Sequence, residues 1–223
     1  FWITISLSGV ITSVFVIVRF NAFKHGELSH LTPLTNLSPL TALPFAFILL
    51  DEIPGIVSLA GLLLIVVGAY VLNVQSSHIK WHEPFTDLAK HKPSRMMVLT
   101  VLGIGVAVTI DKIGLQDSSI YVWGYGLGIA NIIFAIPGSV KHRAQIIPSW
   151  RENWKIITAM AIVSAVSFLF HLLSLAAGAL VSLMLAIKRL DTLVTVVLGN
   201  RLLNEGSLKE RFSGAAVMAV GAL

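Results

Sequence analysis

One short pattern occurs twice in this chain, 153 residues apart. In each copy an apolar run ends at a glutamate, a turn follows, and a second apolar run carries two glycines. The equivalent residues are Glu52, Gly61 and Gly68 in the first copy, and Glu205, Gly214 and Gly221 in the second. A duplicated pair of apolar segments indicates a fold assembled from two copies of one helical unit, as in transporters built from internal repeats.

The composition indicates that lipid is the solvent of this fold. Of the 223 residues, 56% are hydrophobic and only 12% are charged, and the mean hydropathy is +0.85, whereas soluble domains carry about 25% charged residues. Eight segments reach or approach the roughly 20 apolar residues that a spanning helix needs. They are 1–23, 31–50, 54–74, 94–111, 119–140, 155–177, 179–204 and 207–223. We therefore predict an all-α polytopic membrane helix bundle.

The same composition argues against several other classes of protein. The chain has no cysteine, which excludes a disulfide framework and a thiolate metal site. The net charge of +5 resides in loops, so no nucleic-acid partner is expected. Metalloprotease, P-loop and serine-hydrolase motifs are missing, so we expect neither an enzyme nor a cofactor. One polar loop, 75–95, is expected to be solvated rather than metal-binding although it contains His78, His82, Glu83 and His91.

The repeat extends beyond the matching glutamates and glycines. Segments 31–74 and 179–223 are the equivalent helix pairs, and the helix before each pair also corresponds. The second copy has two further helices, 94–111 and 119–140, without a counterpart. Five helices per repeat would give a ten-helix parent, so we expect a fragment that lacks the first two. An odd number of helices inserts the two copies in opposite orientations, which predicts inverted repeats.

These equivalences predict three parts of the chain. Residues 1–75 would hold three helices of the first repeat, and residues 76–93 would form a linker loop. Residues 94–223 would hold the five helices of the second repeat.

Four stretches of the sequence resemble a known protein family. The resemblance depends on the order of these stretches along the chain and on their duplication. They are 30–39, the block from Glu52 to Gly68, 111–115, and 186–189 with the block that ends at Gly221. Together they resemble the EamA-type permeases of the drug/metabolite transporter superfamily. The resemblance implies ten helices, transport of a small metabolite and a place in the bacterial cytoplasmic (inner) membrane. It also implies cytoplasmic ends, whereas the positive-inside rule predicts the opposite orientation from the loop charges, so the orientation stays open.

The segment 179–204 carries charges near its middle, which is costly in a membrane and indicates function. Lys188 and Asp191 lie three residues apart and share a helix face, and Arg189 falls at the position of Asn36 in the first copy. Both copies are polar at this level, and the residues predicted to line a substrate cavity are Thr35, Asn36, Ser38, Lys188 and Asp191. Lys188 would meet an anionic group of the substrate. The alternative is an internal Lys–Asp pair that only fixes helix packing.

Other ionisable residues receive less specific interpretations. His171 lies inside its predicted helix, where it would line the same cavity or relay a proton, and a packing histidine is the alternative. Asp111 and Lys112 are interpreted as a helix-end pair at the membrane interface. Glu52 and Glu205 are interpreted as caps of the helices that follow them.

The predicted helix 31–50 contains Pro33, Pro39 and Pro44. These prolines predict a kink in that helix. The second copy has Asp191–Thr192 where the family often has a Ser-Pro-like pair, so proline predicts no kink there.

Together these patterns predict a secondary transporter, a permease or exporter, that alternates access between two inverted repeats. A non-transporting membrane scaffold or sensor and an intramembrane transferase are the alternatives. The expected partners are a small-molecule substrate and the lipid bilayer, with a coupling proton and a second copy of the chain as further candidates.

Overall fold

The computed structural model describes residues 1–77, 80–141, 143–194 and 212–222. Every regular element in these residues is an α-helix. The helices are α1 (Trp2–His25), α2 (Leu28–Thr35), α3 (Ser38–Leu50), α4 (Ile56–Ser77), α5 (Glu83–Lys90), α6 (Lys92–Gln116), α7 (Ile120–Lys141), α8 (Arg143–Ala176), α9 (Val181–Lys188) and α10 (Phe212–Ala222). The predicted all-α fold class is confirmed.

Five stretches in the described residues are long and apolar enough to cross a membrane. They are Trp2–His25, His30–Leu50, Ile56–Val74, Lys92–Gln116 and Trp150–Ala176. Ile120–Ile136 is also apolar but shorter. The last two predicted segments, 179–204 and 207–223, lie partly outside the described residues. The chain is therefore an integral membrane protein with several spanning helices.

The chain folds into two compact units. The first unit consists of Phe1–Val14 and Ile110–Ala179, and the second consists of the described parts of Phe15–Thr109 and Leu180–Leu223. The helices α1 and α6 each contribute residues to both units. This division follows spatial contacts, whereas the predicted boundaries of the two repeats follow sequence equivalence and stay a prediction.

The predicted kink in the first copy is a complete break between α2 and α3, and the second copy has the same break. The offset of 153 places α2, Leu28–Thr35, residue for residue on α9, Val181–Lys188. In both copies the two residues after the helix donate to carbonyl oxygens three positions earlier, at 2.9–3.2 Å. Asn36 has φ −69° and ψ −13°, and Arg189 has φ −69° and ψ −12°.

The expectation of one continuous helix from 179 to 204 is therefore wrong at residues 189–190. Helical structure resumes at Ser38 in the first copy and at Asp191 in the second. Pro39 lies in the first turn of α3, where a missing N–H costs no helical hydrogen bond. Because Asp191–Thr192 produces the same interruption, proline is not its only cause.

The duplicated glycines bring α4 and α10 into backbone contact. A Cβ added to Gly61 would lie 2.7 Å from the carbonyl oxygen of Gly221, and a Cβ added to Gly68 would lie 2.8 Å from that of Gly214. The residue order runs in opposite directions along the two helices, so they pack antiparallel. Gly61 corresponds to Gly214 and Gly68 to Gly221, so the two contacts exchange when the copies exchange. Small residues permit such close approach in membranes, and the exchange matches the symmetry of an inverted repeat.

Two expectations about connections need correction. The interval 76–93 is not a simple loop, because α5 occupies Glu83–Lys90 within it. Phe85 of α5 stacks on Tyr70 of α4, with ring centroids 5.5 Å apart, which gives this short helix a packing surface. The helix α6 extends to Gln116, so Asp111 and Lys112 lie inside it rather than at its end.

Candidate functional site

The two helix breaks border the same apolar core in the second unit. The helix α3 packs against α9. Leu37 from the first break and Leu190 from the second pack against one cluster of buried residues, which comprises Leu62, Ile65, Val66, Ala69, Leu72, Ala186 and Met218. This cluster therefore holds the interrupted parts of both copies together.

The first break carries buried polar atoms. Asn36 is 1% exposed and Ser38 is 0% exposed. The Nδ2 atom of Asn36 and the Oγ atom of Ser38 have no hydrogen-bond partner among the described residues. A buried unsatisfied polar group costs about 1–3 kcal/mol, so both atoms are suited to a bound polar ligand. Thr35 differs, because its hydroxyl donates to the carbonyl oxygen of Thr32 at 2.7 Å.

The second break presents ionic groups. Lys188 is the last residue of α9, and its side chain is exposed, as is that of Asp191. Lys188 and Arg189 both interact electrostatically with Asp191. The side chain of Arg189 is half-buried, and its Nε atom has no hydrogen-bond partner in the described part of the chain.

Five of the six residues predicted to bind substrate flank these two breaks. They are Thr35, Asn36, Ser38, Lys188 and Asp191, and all belong to the second unit. His171 belongs to the first unit and is described separately. Sequence reasoning left Arg189 out of the predicted set, although its alignment with Asn36 was the signal that could have included it.

Glu52 stabilises the start of the second interrupted helix. Its Oε2 atom accepts a hydrogen bond from the backbone N–H of Val181, the first residue of α9, at 2.9 Å. A carboxylate at this place also interacts favourably with the positive end of the helix dipole. The carboxylate of Glu52 therefore caps α9, whereas the sequence predicted a cap of the helix that follows it, α4. Glu205 lies outside the described residues.

A second polar cluster lies inside the first unit. The hydroxyl of Ser8 donates to Oδ1 of Asp111 at 2.6 Å. The Nε2 atom of His171 lies 4.0 Å from Oδ2 of the same carboxylate. The three residues come from α1, α6 and α8, so the cluster joins three helices.

The interpretation of Asp111 and Lys112 as an interface anchor was wrong. Asp111 is buried, and Lys112 donates from Nζ to the carbonyl oxygen of Ala179 at 2.6 Å. The position of Asp111 inside an apolar helix was a signal, but Ser8 is 103 residues away in the sequence, and nothing in the sequence pairs the two.

The order of contacts in this cluster differs from that of a catalytic triad. A nucleophilic serine gives its proton to a histidine that a carboxylate orients. Here the serine hydroxyl donates directly to the carboxylate. The arrangement is suited to holding a charge or a proton rather than to activating Ser8.

A cavity of about 230 Å³ lies in the second unit, near the ends of α1, α2, α5 and α6. Its ionisable lining residues are His25, Glu27, His30, Asp87 and His91. Nδ1 of His30 pairs with Asp87, and Nε2 of His91 lies 3.8 Å from the same carboxylate. The contact of His30 attaches α5 to α2, whereas His91 lies in the connection between α5 and α6. Across the described ranges, no group of three or more acidic, histidine or cysteine residues is arranged to hold a metal ion.

Comparison with known protein families identifies a match to the first part of the chain. The family described as the EamA-like transporter family matches residues 1–74, and no curated protein matches the chain. The matched residues include α1, α2, α3, the first helix break, the cap residue Glu52 and the glycines of α4. Residues 1–74 of this chain are therefore similar to the EamA-like transporter family.

Proposed function

We propose that this protein is a secondary transporter that moves a small metabolite across the bacterial cytoplasmic membrane. Transport would occur by alternating access between two inverted repeats, around a site formed by the two helix breaks. The family of residues 1–74 and the five apolar spanning stretches support the class of membrane transporter.

The observation that carries the proposal is the exact recurrence of the helix break at the 153-residue offset. Interrupted helices place free backbone carbonyl and N–H groups, and the ends of helix dipoles, at membrane depth. Such backbone is tolerated within a membrane where it is buried in protein or lines a polar cavity. In this chain the breaks also carry polar atoms of Asn36, Ser38 and Arg189 that have no hydrogen-bond partner among the residues the structure describes.

The residues at the breaks favour a substrate with a negative group. Lys188 and Arg189 would bind a carboxylate or phosphate, since both donate charged hydrogen bonds. Asp191 would bind an amino group, and Asn36, Ser38 and Thr35 would bind neutral polar groups. The proposed substrate is therefore an anionic or zwitterionic metabolite.

Uptake into proteoliposomes tests this function. Mixtures of zwitterionic amino acids and small dicarboxylates are offered to vesicles that contain the full protein, and internal contents are measured by mass spectrometry. Lys188→Gln should reduce uptake by about 10- to 100-fold, since a hydrogen bond to a charged group contributes about 1.5–3 kcal/mol.

Lys24→Gln provides the charge-matched control, because Lys24 is an exposed residue at the end of α1. Its uptake should equal that of the wild type. Equal uptake by Lys188→Gln would contradict the substrate role of Lys188. A lack of uptake by the wild-type protein would contradict transport of these substrate classes and favour a scaffold or sensor.

A further inference from the structure

The proposed substrate site does not include the buried cluster of Ser8, Asp111 and His171. Asp111 is 4% exposed and His171 is 6% exposed, and Ser8 is fully buried. The three residues lie on Trp2–His25, Lys92–Gln116 and Trp150–Ala176, which are long and apolar enough to span a membrane. Ionisable groups at such positions are costly and mark ion or proton pathways in many membrane proteins.

The cluster lies beneath one set of helix ends. Asp111 is five residues before the end of α6, and His171 is five residues before the end of α8, which corresponds to about 8 Å along each axis. Ser8 is six residues after the start of α1, or about 9 Å. A proton from the water on that side therefore has a short path to the carboxylate.

The carboxylate of Asp111 and the imidazole of His171 are close enough to bind a proton as a pair. Ser8 holds Oδ1 of Asp111 with one hydrogen bond. The 4.0 Å between Oδ2 and Nε2 of His171 allows a charge interaction but exceeds hydrogen-bond length. The pair has a charge of −1 without a proton, zero with one and +1 with two, and it titrates as a unit.

Few other ionisable groups face this pair. In the first-unit part of α1, and in α8 after Lys155, His171 is the one ionisable side chain of the sequence. On α6, Lys112 is bound to the carbonyl of Ala179, and Asp117 is exposed beyond the helix end. On α7, the exposed Tyr121 and Tyr125 flank Trp123, and Lys141 lies at the opposite end.

We propose that Asp111 and His171, oriented by Ser8, form the proton-binding site that couples transport to a proton gradient. One proton adds to a carboxylate oxygen of Asp111 or to Nε2 of His171 and later leaves from the same pair. The proton itself is the only reactant. A shift of α1, α6 or α8 changes the Ser8–Asp111 bond and the Asp111–His171 distance, and thereby the preference for the proton. This coupling role rests on the proposed transport function, whereas proton binding by the cluster does not.

Infrared spectroscopy of the purified protein in lipid tests proton binding directly. The wild type should show a carboxylic C=O band that disappears reversibly as the pH rises. Asp111→Asn should lack this band. Asp117→Asn is the control, because it removes an exposed acid just after the end of α6, and it should retain the band. Ser8→Ala should move the band to higher wavenumber, because the protonated carboxyl loses a hydrogen bond. His171→Gln should change the pH dependence of the band.

The inference is overturned if the band persists unchanged in Asp111→Asn, or if no band that titrates depends on Asp111 or Ser8. Helix content measured by circular dichroism confirms that each variant is folded. If Asp111→Asn does not fold, Ser8→Ala and His171→Gln decide the result, and bands identical to those of the wild type overturn the inference.

A second experiment separates coupling from transport. Proteoliposomes loaded with a pH-sensitive dye receive the same amino-acid and dicarboxylate mixtures, and internal pH and uptake are recorded together. The wild type and Asp117→Asn should change internal pH during uptake, whereas Asp111→Asn should not. Uptake without a pH change would leave the transporter proposal standing and overturn proton coupling. A titrating Asp111 band without any uptake would support the proton site and contradict transport of these substrates.

Discussion

Replacing Gly68 with alanine tests the contact between α4 and α10 quantitatively. The added Cβ would lie 2.5 Å from Cγ and 2.7 Å from the backbone nitrogen of Met218, and 2.8 Å from the carbonyl oxygen of Gly214. Ordinary contact begins at 3.4 Å, so the backbone of α10 would have to move away by up to 0.7 Å (3.4 − 2.7). Two of the three contacts are backbone atoms, which cannot rotate aside as a side chain can.

The expected net loss of stability is about 1–2 kcal/mol. Overpacking of a close contact costs about 1–3 kcal/mol, and the wider gap weakens dispersion contacts along the helix pair. Alanine recovers up to about 1 kcal/mol because it favours the helix more than glycine does. Gly128 on α7 is the matched control, because an added Cβ there meets no atom within 4 Å. Gly128→Ala should therefore show only the gain in helix propensity, so the free energies of unfolding of the two variants should differ by about 1–3 kcal/mol.

Unfolding in detergent micelles, followed by circular dichroism, measures this difference. Gly68→Ala should unfold at a lower temperature than the wild type, and Gly128→Ala should unfold at an equal or higher temperature. Gly214→Ala should resemble Gly68→Ala, because its Cβ would lie 2.8 Å from the backbone nitrogen of Leu72 and 2.9 Å from the carbonyl oxygen of Gly68. Equal unfolding temperatures for Gly68→Ala and Gly128→Ala would refute the close packing of α4 on α10.

Two further predictions concern the pairing of the repeats. The chain has no cysteine, so Gly61→Cys combined with Gly221→Cys should form a disulfide on mild oxidation. Gly61→Cys combined with Gly214→Cys should not, because seven residues separate these positions by about 10 Å along antiparallel helices, and the reverse outcome would indicate parallel packing. Glu52→Ala should cost about 1 kcal/mol by removing the cap of α9, and Glu52→Gln should cost less because the amide oxygen still accepts. Hydrogen exchange should accelerate at the first amides of α9, and unchanged exchange would contradict the cap.

Much of the helical architecture was predictable because the duplicated residues include glutamates and glycines, which are uncommon in apolar segments and mark the repeat clearly. The duplicated glycines marked equivalent positions of the two copies, and the structure places Gly61 against Gly221 and Gly68 against Gly214. The break after α9 was not predictable from proline, since the turn at 189–190 is made by backbone bonds that many residues allow. The helix α5 was missed because eight residues in a polar stretch give a weak periodic signal.

The candidate site residues were predictable only where the repeat allowed equivalent positions of the two copies to be compared. The offset of 153 selected the positions of both breaks, including Asn36 and Lys188. It could not select Ser8 or Asp111, because their contact joins two helices that are not related by the repeat. The same limit applies to Glu52, which caps a helix whose first residue, Val181, is 129 positions away. Contacts at such separations depend on how the helices pack.

The proposed function requires that the two helix breaks enclose a site that water and substrate can enter. Ser38→Cys tests it most directly, because Ser38 is fully buried at the first break and the chain has no other thiol. Leu72→Cys is the control, because Leu72 is equally buried in the apolar cluster beside the breaks. With a water-soluble methanethiosulfonate reagent, Ser38→Cys should be modified far faster than Leu72→Cys, and a transported metabolite should slow that modification. Equal resistance of both cysteines would show that the breaks are dry and packed, and would contradict the proposed site.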